Sequence, residues 1–340
     1  MIKLALQSRV KTRRSLLRGL AICVACTAAR GWGQRTEGVP RIGLVFGAAP
    51  LAEMLGPDPS NASVRAFLHS LRDLGLTDGR NIVIERRSAE GQGSERMSAL
   101  MHEMVALGVD VIVTTSAGVS AAQRATDRIA IVGMIDTILD TGLVDSLARP
   151  GRNVTGIGVS SAEGYGKELQ LLKEAAPAVS RVAVIANRPL PGQRESWRLE
   201  IDAAARKLRM NVLWLTVDVA ADFDAAFATI TRERADALDV ISNHINTAHR
   251  RRITEFALKQ RLPSIGFPED GMLLDYSAEQ EEVMRRVAAQ VKQIVEGAKP
   301  GDLPFEQPTR FVLTLNLKTA NALGLTIPQS LLLRADKVIR

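Results

Sequence analysis

The sequence predicts an α/β protein made of two doubly wound parallel-sheet lobes joined by a multi-strand hinge. Short, near-continuous apolar strand patterns alternate with helical patterns, and the alternation runs through two successive sets, each about 110 to 120 residues long. A C-terminal remainder is left over after the second set. Strands that are apolar along their whole length belong to parallel sheets covered on both faces, and their crossovers are right-handed. Two sets of this size make two lobes and not one giant sheet.

The first set opens with Arg41–Phe46 (RIGLVF), a short apolar run closed by Gly47-Ala48-Ala49-Pro50. Val64–Leu74 carries apolar residues at helical spacing and stops at Gly75, a C-cap signal. Asn81–Glu85 is β-branched and reads as a strand. Ser94–Leu107 reads as a helix halted by Gly108. Val109–Thr114, Ile129–Met134 and Val154–Ile157 are the remaining strands, with helices expected at Ala117–Ala125 and Gly142–Ala148. The second set begins at Arg181–Ala186 (RVAVIA). It continues through a helix at Glu195–Leu208, a strand at Val212–Val217, a helix at Phe223–Arg232, a strand at Ala237–Ile241, a helix at Thr247–Gln260 and a strand at Pro263–Phe267. The tail adds Leu273–Tyr276, a helix over Ala278–Glu296, a Pro/Gly-rich stretch from Lys299 to Pro308 and a strand at Arg310–Leu315. A tail that follows the second lobe is expected to return to the first and cross again, and several crossings make a hinge. The expected organisation is an export signal at 1–34, a first lobe of 35–157 plus about 271–300, and a second lobe of 158–270 plus about 309–340. No internal repeat or low-complexity segment is visible.

The formal charge of +7 would suggest nucleic acid or an anionic membrane if it were spread over the fold. It is not. Lys3, Arg9, Lys11, Arg13, Arg14, Arg18 and Arg30 precede Gln34 with no acidic residue among them, and the 37 basic residues that remain balance 37 acidic ones. Paired arginines, a short apolar run from Gly19 to Ala29 and small residues form a cleavable export signal, with Arg13-Arg14 favouring the twin-arginine route. The run is too short to span a hydrocarbon layer of roughly 30 Å. The expected location is therefore the periplasm. Both cysteines, Cys23 and Cys26, lie inside this leader, so their spacing is weak support for a metal or redox pair. Cys26 is a possible lipid-anchor position, but Cys23 stands where a leucine is usual. The chain after the leader has no thiol, which suits an oxidising compartment.

Ligands of open parallel sheets bind outside the carboxyl ends of the strands, and two lobes facing each other would line one cleft. The candidate ligand-binding residues follow from position. They are Phe46 and Gly47 after the first strand; Thr115, Ser116 and Ala117 after the third; and Asp136 and Thr137 after the fourth. From the second lobe come Asn187, Asn243, and Gly266 with Phe267. The hydroxyls at 115 and 116 precede a helix whose free N–H groups suit a carboxylate, and Asp136 suits an ammonium group. Singly, each reads equally well as a helix cap or turn residue; as a set they converge on one cleft. No nucleophile elbow, phosphate-binding loop or dinucleotide fingerprint is present, so no catalytic residue and no cofactor is assigned. His69, His102, His244 and His249 show no metal spacing with a third ligand. Arg250-Arg251-Arg252 opens an amphipathic helix and reads as a solvated helix end. Trp197 and Trp214 read as core or lobe-surface residues, and aromatics at 4 % argue against a sugar receptor built on stacked rings.

The run Thr141-Gly142-Leu143-Val144-Asp145-Ser146-Leu147-Ala148-Arg149-Pro150-Gly151-Arg152-Asn153-Val154-Thr155-Gly156 resembles the ABC transporter substrate-binding proteins related to tryptophan and tyrosine receptors, whose run reads close to TGLVASLARPGGNVTG. Further matches cover nearly the whole chain after the leader, ending in Glu306–Phe311 and Asn316–Leu325. The resemblance implies a type I periplasmic-binding-protein fold, a two-lobe clamp, no catalysis, a small-molecule ligand such as an amino acid or other small organic acid, and an ABC permease partner. A monomer without nucleic acid is expected. The same clamp would serve a membrane signalling protein, and a secreted α/β enzyme is the more distant alternative. The chain departs from the family at Asp136-Thr137-Ile138, where Gly-Asp-Pro is usual, and at Asn243-His244, where an acidic or Pro-containing turn is frequent. Both departures fall at predicted ligand positions, so an aromatic amino acid cannot be carried over as the ligand.

Overall fold

The computed structural model describes residues 38–136, 144–160, 162–188 and 195–340. The expected export signal at 1–34 lies outside the described residues. Two separate sheets form. The first has five strands in the order β2-β1-β3-β4-β5. These are β1 (Arg41–Phe46), β2 (Val83–Ser88), β3 (Val111–Thr115), β4 (Ala130–Asp136) and β5 (Val154–Ser160). All their pairings are parallel. The order turns back on itself at β1, the arrangement of a doubly wound sheet.

Helices cover both faces. On one side α2 (Ala62–Asp73) buries Val64, Phe67, Leu68 and Leu71, four positions on one helical stripe. Asn61 starts it by accepting a hydrogen bond from the Val64 N–H. On the other face α3 (Ser94–Ala106) and α4 (Ser116–Ala125) pack against Val45, Ile112 and Ile131. A short α1 (Leu51–Met54) follows β1.

The second sheet has seven strands in the order β12-β11-β10-β9-β8-β6-β7. They are β6 (Arg181–Ala186), β7 (Asn211–Thr216), β8 (Ala237–Val240), β9 (Ser264–Ile265), β10 (Leu274–Ala278), β11 (Phe311–Asn316) and β12 (Lys337–Ile339). Its part β7-β6-β8-β9-β10 repeats the strand order of the first sheet. One face carries α5 (Ala162–Ala175), α6 (Ser196–Lys207), α11 (Leu317–Leu323) and α12 (Gln329–Leu332). The other carries α7 (Asp222–Arg232), α8 (His244–Ala248) and α9 (Arg250–Lys259).

The chain passes between the sheets three times. It leaves the first after β5, returns through β10 into α10 (Gln280–Val295), and comes back along residues 304–311 into β11. Within α10, Val283, Met284, Val287, Ala288 and Val291 are buried in the same core as Phe67 and Leu44. The returning segment is stitched to β5: the Gly158 N–H donates to the Glu306 carbonyl at 2.7 Å, and the Glu306 N–H donates to that of Gly156 at 3.0 Å. At the crossing itself Tyr276 stacks on Phe311, with ring centroids 5.4 Å apart.

Several elements differ from expectation. Residues 144–148 form bends and no helix, because Ser146 and Arg149 close on each other through the Ser146 hydroxyl and the Asp145 N–H bonds the Pro150 carbonyl. The expected helix at Thr247–Gln260 is two, α8 and α9, broken at His249. The second sheet is not wholly parallel, since β10 and β11 run antiparallel. That follows from the crossings: β10 leaves the second lobe and β11 re-enters it. For the same reason β10 sits in the second sheet, although the tail was expected in the first lobe from about residue 271. The helix α5 was not foreseen at all. Gly164 and Gly166 weaken its helical signal. No helix among the described residues is long and apolar enough to cross a membrane.

Candidate functional site

The carboxyl ends of the strands present the predicted residues in turn. Phe46 ends β1 with its ring in the lobe core, 7 % exposed, so it anchors the loop from below. Gly47 follows, and its carbonyl accepts the Gly91 N–H at 2.8 Å. Thr115 is the N-cap of α4 in extended conformation and makes no side-chain cap hydrogen bond. Ser116 donates its hydroxyl to the Met134 carbonyl at 3.4 Å, and Ala117 is half-buried in the same turn. Asp136 is the last residue of β4, where the register against β5 shifts between Ile135 and Asp136. A bulge of this kind re-aims a strand end. Thr137 lies outside the described residues.

In the second lobe Asn187 follows β6, and its amide donates to the Arg188 carbonyl at 3.0 Å. Asn243 caps α8: its Oδ1 accepts the Asn246 N–H at 2.9 Å and its Nδ2 donates to the Ile241 carbonyl at 3.3 Å. Beneath it the buried Asn246 donates to the carbonyls of Ile185 and Ile241 at 3.2 and 2.8 Å, which pins α8 to the ends of β6 and β8. Gly266, at φ 147°, lies where a Cβ would stand 2.9 Å from the Met272 sulfur and 3.3 Å from Val240. Phe267 is half-buried against the core under α7 and α9.

The two rows of loops meet. A Cβ on Gly47 would stand 2.8 Å from Cβ of His244, and one on Gly91 would stand 2.5 Å from Cβ of Ala248. Sequence reasoning listed Gly47 and placed Asn243-His244 at a predicted ligand position, but missed Gly91 and Ala248. The signal available for Gly91 was the run Ala89-Glu90-Gly91-Gln92-Gly93, where two glycines follow a strand directly. Burial holds the His244 imidazole below its usual pKa, so it is neutral at pH 7.

Trp197 and Trp214 belong to the core of the second lobe. Their rings meet edge to face at 5.7 Å, Tyr165 lies 6.0 Å from Trp197, and the Arg198 guanidinium covers Trp214 at 4.5 Å. The expected solvated arginine run is in part engaged: Arg250 pairs with Asp270 at 2.9 Å and Arg252 with Asp224 at 2.6 Å, while the Arg251 side chain is 82 % exposed.

Away from the cleft, three carboxyl groups gather in the second lobe. Asp239 on β8 is fully buried, and neither of its carboxylate oxygens has a hydrogen-bond partner among the described residues. Burial pushes its pKa up to about 7. Burial, then the neighbouring charges of Asp239 and Asp275, raise Glu168 on α5 well above the carboxylate range. Burial raises Asp275 to about 6 despite its bond from Ser277. Burial thus makes these groups hold their protons to higher pH than a solvated carboxyl, which limits the charge buried. No group of three or more His, Cys, Asp or Glu among the described residues is placed to hold a metal ion.

A separate groove of about 750 Å³ opens on the outer edge of the first sheet, between α2 and β2. Its buried Arg86 is already satisfied by the carbonyls of Met54 and Gly56 and by Asp78. None of the predicted residues lines it.

Two doubly wound lobes crossed by three chain segments, with strand-end loops closing on one another, define a solute-binding clamp of the type I periplasmic-binding-protein fold. The family described as ABC transporter substrate binding protein matches residues 51–339, and the chain belongs to it. It is therefore a substrate-binding protein of the ABC transporter class, a family of solute binders. A tyrosine-binding protein of Clostridioides difficile (strain R20291) is 24 % identical over 270 residues, 77 % of this chain and 76 % of that one. Among solved structures, a conserved domain protein from Vibrio cholerae shares 23 % identity with a TM-score of 0.77, covering 88 % of this chain and 100 % of that one. An ABC domain from Streptococcus pneumonia in complex with L-Trp shares 20 % identity with a TM-score of 0.76, covering 89 % and 100 %.

Proposed function

We propose that the chain is an exported periplasmic receptor that captures an amino acid between its lobes, without chemistry, and presents it to an inner-membrane ABC permease. One observation carries the ligand class. The N-terminus of α4, led by Thr115 and Ser116, follows β3, and Asp136 is the last residue of β4, which pairs directly with β3. Adjacent strands lie about 4.8 Å apart, a spacing that the carboxylate and ammonium groups of an α-amino acid bridge. A carboxylate gains from a helix N-terminus, and an ammonium group gains from a carboxylate. The names of two similar proteins, one a tyrosine binder and one holding L-Trp, support the same class. The basic leader and thiol-free body support export. In this reading the working halves are residues 38–160 with 280–306, and 162–278 with 311–340.

The test is a thermal-shift screen of the twenty amino acids, with sugars and simple organic acids as the contrasting set. An amino-acid ligand at a hundredfold excess over its dissociation constant adds about 2.7 kcal/mol to stability, a shift of several degrees. Stabilisation by a sugar alone, or by none of these solutes, overturns the proposal.

A further inference from the structure

The geometry points to a closure latch: Gly47 and Gly91 of the first lobe form a side-chain-free seat for the His244/Ala248 face of α8 in the second. Three observations agree. Both glycines lie where a single added carbon would collide with α8, at 2.8 and 2.5 Å. The two residues they meet are four apart on one helix, and so share one face. The seat is also stiff. The Gly91 N–H donates to the Gly47 carbonyl at 2.8 Å, the Ala89 N–H donates to that of Phe46 at 2.9 Å, and Glu90 reaches back to the Leu51 N–H at 2.8 Å. Glu90 and Gly91 hold left-handed backbone at φ 48° and 75°, a conformation that costs energy for glutamate and persists only where its surroundings hold it. On the opposing side the Asn243 cap and the buried Asn246 fix α8 to its sheet.

A rigid seat and a rigid helix meeting at two points make closure a two-state event, since packed surfaces do not deform smoothly. The glycines set how far the lobes can approach, and with that the depth left for a solute. This inference deepens the receptor reading and rests on it, but it can be tested without any solute.

The test uses the full chain with Cys23 and Cys26 replaced by serine, so that introduced cysteines are its only thiols. A disulfide spans about 3.5–4.5 Å between Cβ atoms. Gly47→Cys with His244→Cys, or Gly91→Cys with Ala248→Cys, therefore needs the lobes to part by only about 1–2 Å from the closed geometry. Mild oxidation should link each pair, as read by mass spectrometry of the joined peptides. Adding Gly47→Val to the second pair should slow its linking several-fold by propping the seat, and His244→Gly in the same chain should restore the rate. Thiols that alkylate fully yet never link in either pair overturn the latch. So does a linking rate indifferent to Gly47→Val. Linking with no response to any solute leaves the latch standing and removes the receptor reading instead.

Discussion

Asp239 shows how one buried group writes pH dependence into a fold. An unfolded aspartate releases its proton near pH 4, whereas the native residue keeps its own until about pH 7. Over that window the native chain binds more protons than the unfolded one, so stability falls as pH rises from about 4 to 7 and then levels off. For Asp239 the loss is about 2–4 kcal/mol. Glu168 and Asp275 titrate in the same direction. Asp239→Asn keeps the shape and removes the charge. Chemical denaturation should show it more stable than the parent at pH 8, nearly equal at pH 4, and with a flatter profile between. An unchanged profile would place the titration elsewhere. The residues around it, Val184 and Ile265, are apolar neighbours on the adjoining strands and offer it no counter-charge.

At the level of elements, the runs that carry the family resemblance turn out to be joints. Gly156 faces Gly133 across β4 and β5, and a Cβ there would lie 1.9 Å from the Gly133 carbonyl oxygen. Asn153 donates to the carbonyls of Thr126 and Ile129, and the Thr155 hydroxyl donates to that of Leu303. In the last run Asn316 caps α11 by accepting the Thr319 N–H, donates to the Pro268 carbonyl at 2.9 Å, and is 4 % exposed. Asn316→Ala loses the cap of α11 and one of the two hydrogen bonds that the Pro268 carbonyl accepts, a cost of about 1–3 kcal/mol. Urea unfolding should show it as a lower midpoint with an unchanged slope. Strand-like apolar runs were legible because their periodicity is local. The bends at 144–148 were not, since they depend on the Ser146 hydroxyl closing on Arg149 and the Asp145 N–H bonding the Pro150 carbonyl. The helix α5 was missed because Gly164 and Gly166 fall in its first turns and dilute the helical pattern that its buried Leu169 and Leu172 carry.

Across the whole molecule, the C-terminal tail belongs to both lobes at once. Met284 on α10 lies 1 % exposed in the core of the first lobe, beside residues that precede it by more than two hundred positions. Met284→Ala removes about 2–5 kcal/mol. Hydrogen exchange should report the loss first in β1–β3, more than 160 residues upstream, while β6–β8 stay protected. Protection lost evenly in both lobes would contradict this division. The repeated strand order of the two sheets has no counterpart in sequence similarity between the halves, because backbone topology tolerates any pair of strands that are apolar on both faces.

Local pattern by itself determined the alternation of strands and helices and the number of lobes. Both follow from periodicity, which is local to each segment. Only the tertiary structure decided which candidate residues serve as supports, as Phe46 and Asn243 do, and which surfaces meet. The contact of Gly47 with His244 joins positions 197 residues apart, and nothing in either neighbourhood encodes the other. Such a contact arises from rigid sheets brought together by three crossings, a property of the folded chain and of no segment within it.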